Sequence, residues 1–84
     1  MNELIWSTKS LKQLRKISES DREAIYDQSQ SLKDFPNCKN VKKLNNHRHQ
    51  YRLKVGNYRV FFDFDGLVKI VKIEEVKKRD ENTY

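Results

Sequence analysis

The stretch Tyr51-Arg-Leu-Lys-Val-Gly-Asn-Tyr-Arg-Val-Phe-Phe-Asp63 decides the fold, because it contains two runs of alternating polarity around Gly56-Asn57. A Gly-Asn pair predicts a two-residue hairpin turn, since a tight turn needs a positive φ that these residues tolerate. With Val55 and Tyr58 beside the turn, the two runs would pair as antiparallel strands. We therefore expect a β-hairpin in the sheet of this protein.

The two faces of this hairpin differ in chemistry, because side chains alternate along a strand. One face collects Tyr51, Leu53, Val55, Tyr58, Val60 and Phe62. The other face carries Arg52, Lys54, Arg59 and Phe61. The register places Lys54 opposite Arg59, which costs a few tenths to about 1 kcal/mol. Such unfavourable choices concentrate at functional sites, but the pattern is also compatible with a solvated face.

The length of 84 residues predicts one domain, spanning 1–84. The apolar run Leu4-Ile5-Trp6 is too short for a membrane span or a signal peptide. Cys38 is the single cysteine, so an internal disulfide and a cysteine zinc site are excluded, and a reducing cytosol is the expected setting. We expect an ordinary loop cysteine here, and a reactive thiol is the less favoured alternative.

The net charge of +6 is concentrated in the middle of the chain. Residues 1–34 contain six basic and six acidic side chains, and residues 63–84 contain five and six. Residues 35–62 have no acidic side chain but seven basic ones: Lys39, Lys42, Lys43, Arg48, Arg52, Lys54 and Arg59. A one-sided basic field with interleaved aromatic residues suits nucleic acid. An anionic membrane fits less well, because the charges lie on predicted strands and loops.

Two helices are predicted before the hairpin. The first follows a short strand at residues 4–6 and is capped by Ser7 or Thr8. Its apolar residues recur at helical spacing: Leu11, Leu14 and Ile17. The second is predicted to begin with a capping box at residues 20–23 and to end before Pro36. Its predicted buried stripe is Ala24, Ile25, Gln28, Leu32 and Phe35.

The remaining segments complete a sheet. Residues 41–44 form a candidate short strand, and residues 45–50 a loop. Asp65-Gly66 predicts a second two-residue turn, followed by a strand over 67–73 and a charged tail over 74–84. The expected fold class is α+β, with an N-terminal strand and a two-helix hairpin packed on one face of a three- to four-stranded antiparallel sheet. The basic face would then remain open.

Four cations are candidates for one phosphate-binding site: Arg52, Lys54, Arg59 and Arg79. Arginine forms forked hydrogen bonds to phosphate, and lysine acts as a point charge. Converging on one concave face, they would hold an RNA backbone and stabilise a pentavalent phosphorane. A nonspecific electrostatic patch is the alternative.

His47 and His49 lie on the predicted loop, two residues apart. No metal is expected, because two histidines without a neighbouring carboxylate or thiolate are too few ligands. One of them is a candidate general acid or base, although a solvated loop histidine is the commoner case. Asp63 and Asp65 flank a predicted turn and have no evident acid–base partner in the sequence.

The motifs of the second half of the chain resemble those of a known family. Lys43-Leu44, the segment Tyr-Arg-Leu-Lys-Val-Gly-Asn-Tyr-Arg-Val-Phe-Phe over 51–62, Ile-Glu-Glu-Val-Lys-Lys-Arg over 73–79 and the final Thr83-Tyr84 are similar to the RelE/ParE superfamily of bacterial toxins. The RelE branch is the closer match, and the resemblance spans nearly the whole chain.

The resemblance implies a ribosome-dependent, metal-independent endoribonuclease without a cofactor, which cuts mRNA in the ribosomal A site and inhibits translation. It also implies a cytoplasmic toxin, a cognate antitoxin as partner, and contact with operator DNA only through the antitoxin complex. Membrane is not among the expected partners. The alternative within the superfamily is a ParE-type inhibitor of DNA gyrase without nuclease activity.

The resemblance also assigns candidate site residues. The implied catalytic residues are Arg52, Lys54, Arg59, Arg79 and Tyr84, with Arg52 standing where lysine is the usual residue. We expect further RNA contacts from Lys42, Lys43, Arg48, Phe61 and Lys78. The candidate general acids or bases are His47, His49 and Glu75, as several relatives use histidine or glutamate in that role.

Overall fold

The computed structural model describes residues 1–79 of the chain. These residues form two α-helices, a 3₁₀ helix and five strands. In chain order they are β1 (Glu3–Trp6), α1 (Thr8–Arg15), α2 (Glu19–Ser29), the 3₁₀ helix (Gln30–Asp34), β2 (Val41–Lys43), β3 (Tyr51–Val55), β4 (Tyr58–Asp65) and β5 (Ile70–Lys78).

The strands form one mixed sheet in the order β1-β5-β4-β3-β2. β1 runs parallel to β5, and the other neighbouring strands are antiparallel. The predicted α+β class, with an N-terminal strand and two helices on one face, is confirmed. The sheet has five strands rather than three or four, because β1 joins it beside β5 and β2 pairs with β3 at the opposite edge.

The central hairpin has the predicted register, with Lys54 opposite Arg59 and Val55 opposite Tyr58. Gly56 adopts a φ of +55°, and Asn57 is not among the residues with a positive φ. A positive φ at the first central residue alone is the pattern of a type II′ turn, whose twist matches that of the flanking strands. Glycine at this position therefore determines the register of the hairpin.

The core lies between the helices and one face of the sheet. The buried residues of this cluster are Leu14, Ile25, Leu32, Leu53, Val55, Val60, Phe62, Val71, Ile73 and Val76. Phe35 packs edge-on against Phe62 at 5.4 Å and against Tyr51 at 4.8 Å between ring centroids. The apolar face of the hairpin is thus the sheet side of the core, and its basic face points away from the helices.

α1 continues along the edge of β5 beyond the point where β1 ends. The Ser7 hydroxyl caps this helix by accepting from the Ser10 N–H at 3.0 Å. The Ser10 hydroxyl donates to the Ile73 carbonyl at 3.1 Å, and the Gln13 side chain accepts from the Val76 N–H at 2.7 Å. The Gln13 side chain thereby satisfies a backbone N–H of β5 beyond the end of β1, and Ser10 is a second donor to the Ile73 carbonyl, which also accepts from the Ser7 N–H at 2.9 Å.

The predicted start of the second helix was wrong, and its predicted buried stripe is confirmed only at Ile25, Leu32 and the partly buried Phe35. α2 begins at Glu19, because the Ser18 carbonyl already accepts the first helical bond from the Arg22 N–H at 2.8 Å. The capping box at residues 20–23 therefore lies inside the helix. Ala24 and Gln28 are exposed, while Ile25, Ser29 and Leu32 are buried. The α-helix ends at Ser29, and the 3₁₀ helix carries the chain to Asp34, just before Pro36.

The connection between β4 and β5 also differs from the prediction. The turn spans four residues, 66–69, and Lys69 takes a φ of 58°. Leu67 and Val68 lie in this turn and are exposed. β5 begins at Ile70 and extends to Lys78, so residues 74–78 of the predicted charged tail are a strand. Pairing with β4 along its whole length outweighs the charged composition of this segment.

No helix within residues 1–79 is long and apolar enough to cross a membrane.

The turn conformation predicts that Gly56→Ala destabilises the protein by about 1–3 kcal/mol, because an L-residue is strained at the first central position of a type II′ turn. A Cβ at this position would meet no atom within 4 Å, so strain is the only expected cost. Asn57→Ala is the matched control, with an expected change within about 0.5 kcal/mol. Urea denaturation of both variants measures the difference, and equal losses would argue against the turn assignment.

Candidate nucleic-acid interface

Four cationic side chains surround one open cavity on the sheet face that the helices do not cover. The cavity has a volume of about 220 Å³, and it is lined by Arg52, Lys54, Arg59 and Arg79. These are the four cations that the sequence suggested for one phosphate site. The structure therefore brings together residues of β3, β4 and the end of β5.

Strand geometry explains this convergence. Arg52 and Lys54 are two residues apart on β3 and so share a face, and Arg59 lies opposite Lys54 on β4. Arg79 follows β5, and its backbone N–H donates to the Asn57 carbonyl at 2.6 Å. This bond ties the end of β5 to the hairpin turn and places the Arg79 side chain beside the other three.

Arg59 is a buried cation, with 5% of its surface exposed. Its Nη1 donates to the Gly56 carbonyl at 3.0 Å and to the Tyr58 carbonyl at 2.9 Å, so the turn itself holds the guanidinium. Within residues 1–79, no carboxylate pairs with any of the four cavity cations. Burying a charge without a counterion is costly, and a bound anion would offset that cost.

The alternation of side chains along the strands places the other predicted RNA-contacting lysines on two different faces of the sheet. Lys42 lies opposite Arg52 and shares its face, whereas Lys43 lies opposite Tyr51 on the helix side. Lys78 lies opposite Tyr58, also on the helix side. Lys42 therefore shares the face of the cavity, whereas Lys43 and Lys78 lie on the other side of the sheet.

Lys77 is a cation of the cavity face that the sequence prediction missed. It lies opposite Arg59 in β5, and its Nζ is 3.8 Å from a carboxylate oxygen of Glu75. The prediction treated this segment as a tail. Side chains alternate between two faces only along a strand, so a tail gives no basis for assigning Lys77 to a face. The turn at residues 66–69 and the pairing with β4 supply that information only in the folded chain.

Phe61 and the two histidines form an aromatic cluster next to Arg52. Phe61 is 4% exposed, because the exposed ring of His47 stacks on it with 4.9 Å between centroids and 14° between planes. The prediction that Phe61 contacts RNA directly is therefore not supported. Arg48, on the same loop, is exposed.

His49 is buried between two carboxylates. Its Nδ1 is 3.4 Å from Asp63 Oδ2, and its Nε2 is 3.0 Å from Glu75 Oε2. Asp63 also accepts from the Gln50 N–H at 2.8 Å, and Lys9 of α1 pairs with Glu75 at 2.7 Å. The expectations that His49 has no neighbouring carboxylate and that Asp63 has no partner were wrong, because the loop folds back over β4 and β5.

A β-bulge helps to build this network. The register of β4 and β5 shifts between Phe61 and Phe62, so that Phe61 pairs with Glu75 and Phe62 with Ile73. Glu74 is the extra residue, and its carboxylate joins those around His49. Within residues 1–79, His49, Asp63 and Glu74 form the group that could hold a cation, with ligand atoms all within 4.8 Å. Both nitrogens of His49 already face carboxylates, so contacts within the protein account for this group.

The environment of Glu75 keeps its carboxylate ionised. Burial alone would raise its pKa, but hydrogen bonds from Lys9 and His49, together with the charge of Lys77, lower the pKa to about 2. Neither Glu75 nor His49 lines the cationic cavity. The structure therefore places these two candidate acid–base residues in a buried network that anchors the loop, and His47 on the surface.

Two further predictions concern single residues. Burial and the neighbouring Asp34 carboxylate raise the pKa of the Cys38 thiol. A raised pKa lowers the fraction of the reactive thiolate form, which agrees with an ordinary loop cysteine. Tyr84, the candidate base-stacking residue of the tail, lies outside the described residues.

Comparison with known proteins gives the family. The family model described as the ParE toxin of the type II toxin–antitoxin system parDE matches residues 4–83. The chain belongs to this family. It is thus a toxin of a type II toxin–antitoxin module and a member of the RelE/ParE superfamily. No curated protein matches the sequence significantly.

Solved structures of RelE proteins have the same fold as this ParE-family toxin. The RelBE2 toxin–antitoxin complex from Mycobacterium tuberculosis matches with a TM-score of 0.81 and 20% identity, covering 93% of this chain and 98% of that one. The isolated Escherichia coli RelE toxin matches with a TM-score of 0.80 and 20% identity, covering 99% of this chain and 89% of that one. The archaeal RelE–RelB complex from Pyrococcus horikoshii matches with a TM-score of 0.78 and 22% identity, covering 95% of this chain and 97% of that one.

The pKa of Glu75 predicts a specific acid sensitivity. Because this pKa is lowered from 4.5 to about 2 in the folded protein, the stabilisation is fully present above about pH 4.5 and is lost as the pH falls toward 2. Glu75→Gln should therefore be less stable than the unmodified protein at pH 7. Its free energy of unfolding should also fall less than that of the unmodified protein between pH 7 and pH 3. Urea midpoints at pH 7 and pH 3 measure this.

The control for this prediction is Glu23→Gln, which removes an exposed carboxylate of α2. It should keep the pH dependence of the unmodified protein. An undiminished pH dependence in Glu75→Gln would show that the network does not hold this carboxylate ionised.

Proposed function

We propose that this toxin is a metal-independent endoribonuclease of the RelE type, which cuts mRNA on the ribosome and so inhibits translation. The observation that carries this proposal is the cavity in which Arg52, Lys54, Arg59 and Arg79 meet. Three guanidinium groups and one ammonium group around one open space suit an RNA phosphodiester. A surface used only for protein contact has no need of such an arrangement.

The proposed reaction is an in-line attack of the 2′-hydroxyl on the adjacent phosphate, with the 5′ oxygen as leaving group. RNA is cut and DNA is spared, because DNA lacks that hydroxyl. Arg59, held by the hairpin turn, binds the phosphate oxygens, and Arg52 adds a second forked donor. Lys54 activates the nucleophile, because an arginine is a poor proton acceptor. Arg79 stabilises the leaving oxygen, and Tyr84 of the tail is proposed to stack on a base.

The proposal includes the partners and setting of a RelE-type module. The similar structures from Mycobacterium tuberculosis and Pyrococcus horikoshii are complexes of a toxin with an antitoxin, and we propose a cognate antitoxin for this toxin. The other proposed partners are the ribosomal A site with its mRNA, and operator DNA through the antitoxin complex. The proposed location is the cytoplasm.

Substitution of cavity cations is expected to abolish mRNA cleavage. Removing one preorganised charge from a transition state costs about 100-fold or more in rate, so Arg59→Ala and Arg52→Ala should each lose cleavage to at least this extent. Primer extension on translated mRNA after induction measures the cuts. Arg59 is buried, so a thermal melt of its variant must accompany the assay, and Arg52→Ala tests the same cavity from a more exposed position.

Lys43→Ala is the matched control, because it removes the same charge from the helix side of the neighbouring strand. Its cleavage should stay close to that of the unmodified toxin. Near-normal cleavage by folded Arg52→Ala and Arg59→Ala variants would refute the phosphate-binding role of the cavity.

Inhibition of DNA gyrase without nuclease activity is the second candidate, and the match to the ParE toxin family favours it. The two functions differ in what accumulates after induction. Intact mRNA together with trapped gyrase–DNA cleavage complexes would favour the gyrase target. Cut mRNA with normal supercoiling would favour the ribonuclease.

A further inference from the structure

We propose that the imidazole ring of His47, supported by Phe61, is a stacking platform for a nucleobase of the RNA whose phosphate lies in the cationic cavity. This inference rests on the proposed ribonuclease function and names a second contact of the same substrate. The ligand of this platform is a base of a single-stranded RNA that is not stacked on its neighbours.

The first observation is a buried aromatic ring on a polar sheet face. Phe61 lies on the side of the sheet away from the helices, yet it is 4% exposed. Its cover is the ring of His47, nearly parallel to it at 4.9 Å, with His49 beside it at 6.2 Å. His47 is itself exposed. One face of the imidazole is therefore occupied by Phe61, and the other is available to a flat ligand.

The second observation is that the position of this ring is determined by hydrogen bonds. The Nδ1 of His47 accepts from the His49 N–H at 3.0 Å, so neutral His47 carries its proton on Nε2. His49 is anchored between Asp63 and Glu75, as described above. At the base of the loop, the Leu44 N–H donates to the Gln50 carbonyl at 2.8 Å. A ring held in place before binding loses less entropy when a ligand stacks on it.

The third observation is the distance to the phosphate site. Phe61 is the direct cross-strand partner of Arg52, which lines the cavity. Neighbouring strands are about 4.8 Å apart, so the platform lies one strand from a cavity cation. A nucleotide with its phosphate beside Arg52 can therefore place its base, or that of its neighbour, over His47. Exposed Arg48 lies on the same loop and adds a positive charge for the backbone.

Two substitutions separate stacking from simple shielding of Phe61. His47→Tyr keeps an aromatic ring, whereas His47→Leu covers Phe61 with an apolar side chain that has no π face. The probe is a set of single-stranded RNA oligonucleotides that carry 2′-O-methyl groups, which block the nucleophile, and one 2-aminopurine at successive positions. Quenching of the 2-aminopurine fluorescence reports stacking, and titration gives the affinity.

We expect quenching at one position with the unmodified toxin and with His47→Tyr. His47→Leu should lose this quenching and bind about tenfold more weakly, in line with the usual contribution of one stacked base. Its melting temperature should match that of the unmodified protein. Unchanged affinity and quenching in His47→Leu, or no quenching at any position with the unmodified toxin, would overturn the proposal.

The assay separates this inference from the proposed function, because the oligonucleotide cannot be cut. Position-specific quenching that depends on His47 would support the platform even if mRNA stays intact in cells. Conversely, normal mRNA cleavage together with undiminished binding by His47→Leu would leave the ribonuclease standing and remove the platform.

Discussion

The pairing of β3 with β4 through a turn that requires glycine is the constraint on which the rest of the structure depends. Gly56, with its positive φ, sets the register, and the alternation of side chains then separates two surfaces. A slip of one residue would send Arg52 and Lys54 into the core and Leu53 into solvent. The hydrophobic core and the cationic cavity are thus two consequences of the same register.

The two faces of the sheet are covered by different means. The helices bury the apolar face, as in other layered α+β folds. On the opposite face, the loop before β3 takes this role with polar groups, because His49 inserts between Asp63 and Glu75 while His47 covers Phe61. The β4–β5 bulge brings the carboxylates to this point. A buried polar network is an effective anchor here, because each carboxylate that contacts His49 also has a second partner, the Gln50 N–H for Asp63 and Lys9 for Glu75.

The cavity has the opposite electrostatic character. Arg59 is buried against backbone carbonyls, and within residues 1–79 it pairs with no carboxylate. Lys54 faces it directly across the hairpin. Stability alone would not favour this arrangement, and its cost is reduced when an anion binds. The neighbouring network and the cavity therefore divide one sheet face into a part that is electrostatically satisfied and a part that is not.

Local sequence patterns determined the hairpin, its register, the α+β class and the convergence of the first three cavity cations, because each follows from turn chemistry and from the period of two along a strand. The start of α2 was not predictable in the same way, since Ser18 and Ser20 are both suitable N-cap residues. The extent of β5 was not predictable either, because the charged residues 74–78 have the composition of a solvated tail. Only the tertiary structure decided the faces of Lys77 and Lys78, the burial of Phe61 and the partners of His49. These depend on long-range pairing between β4, β5 and the loop, and no local spacing in the sequence encodes which distant carboxylate a loop histidine will meet.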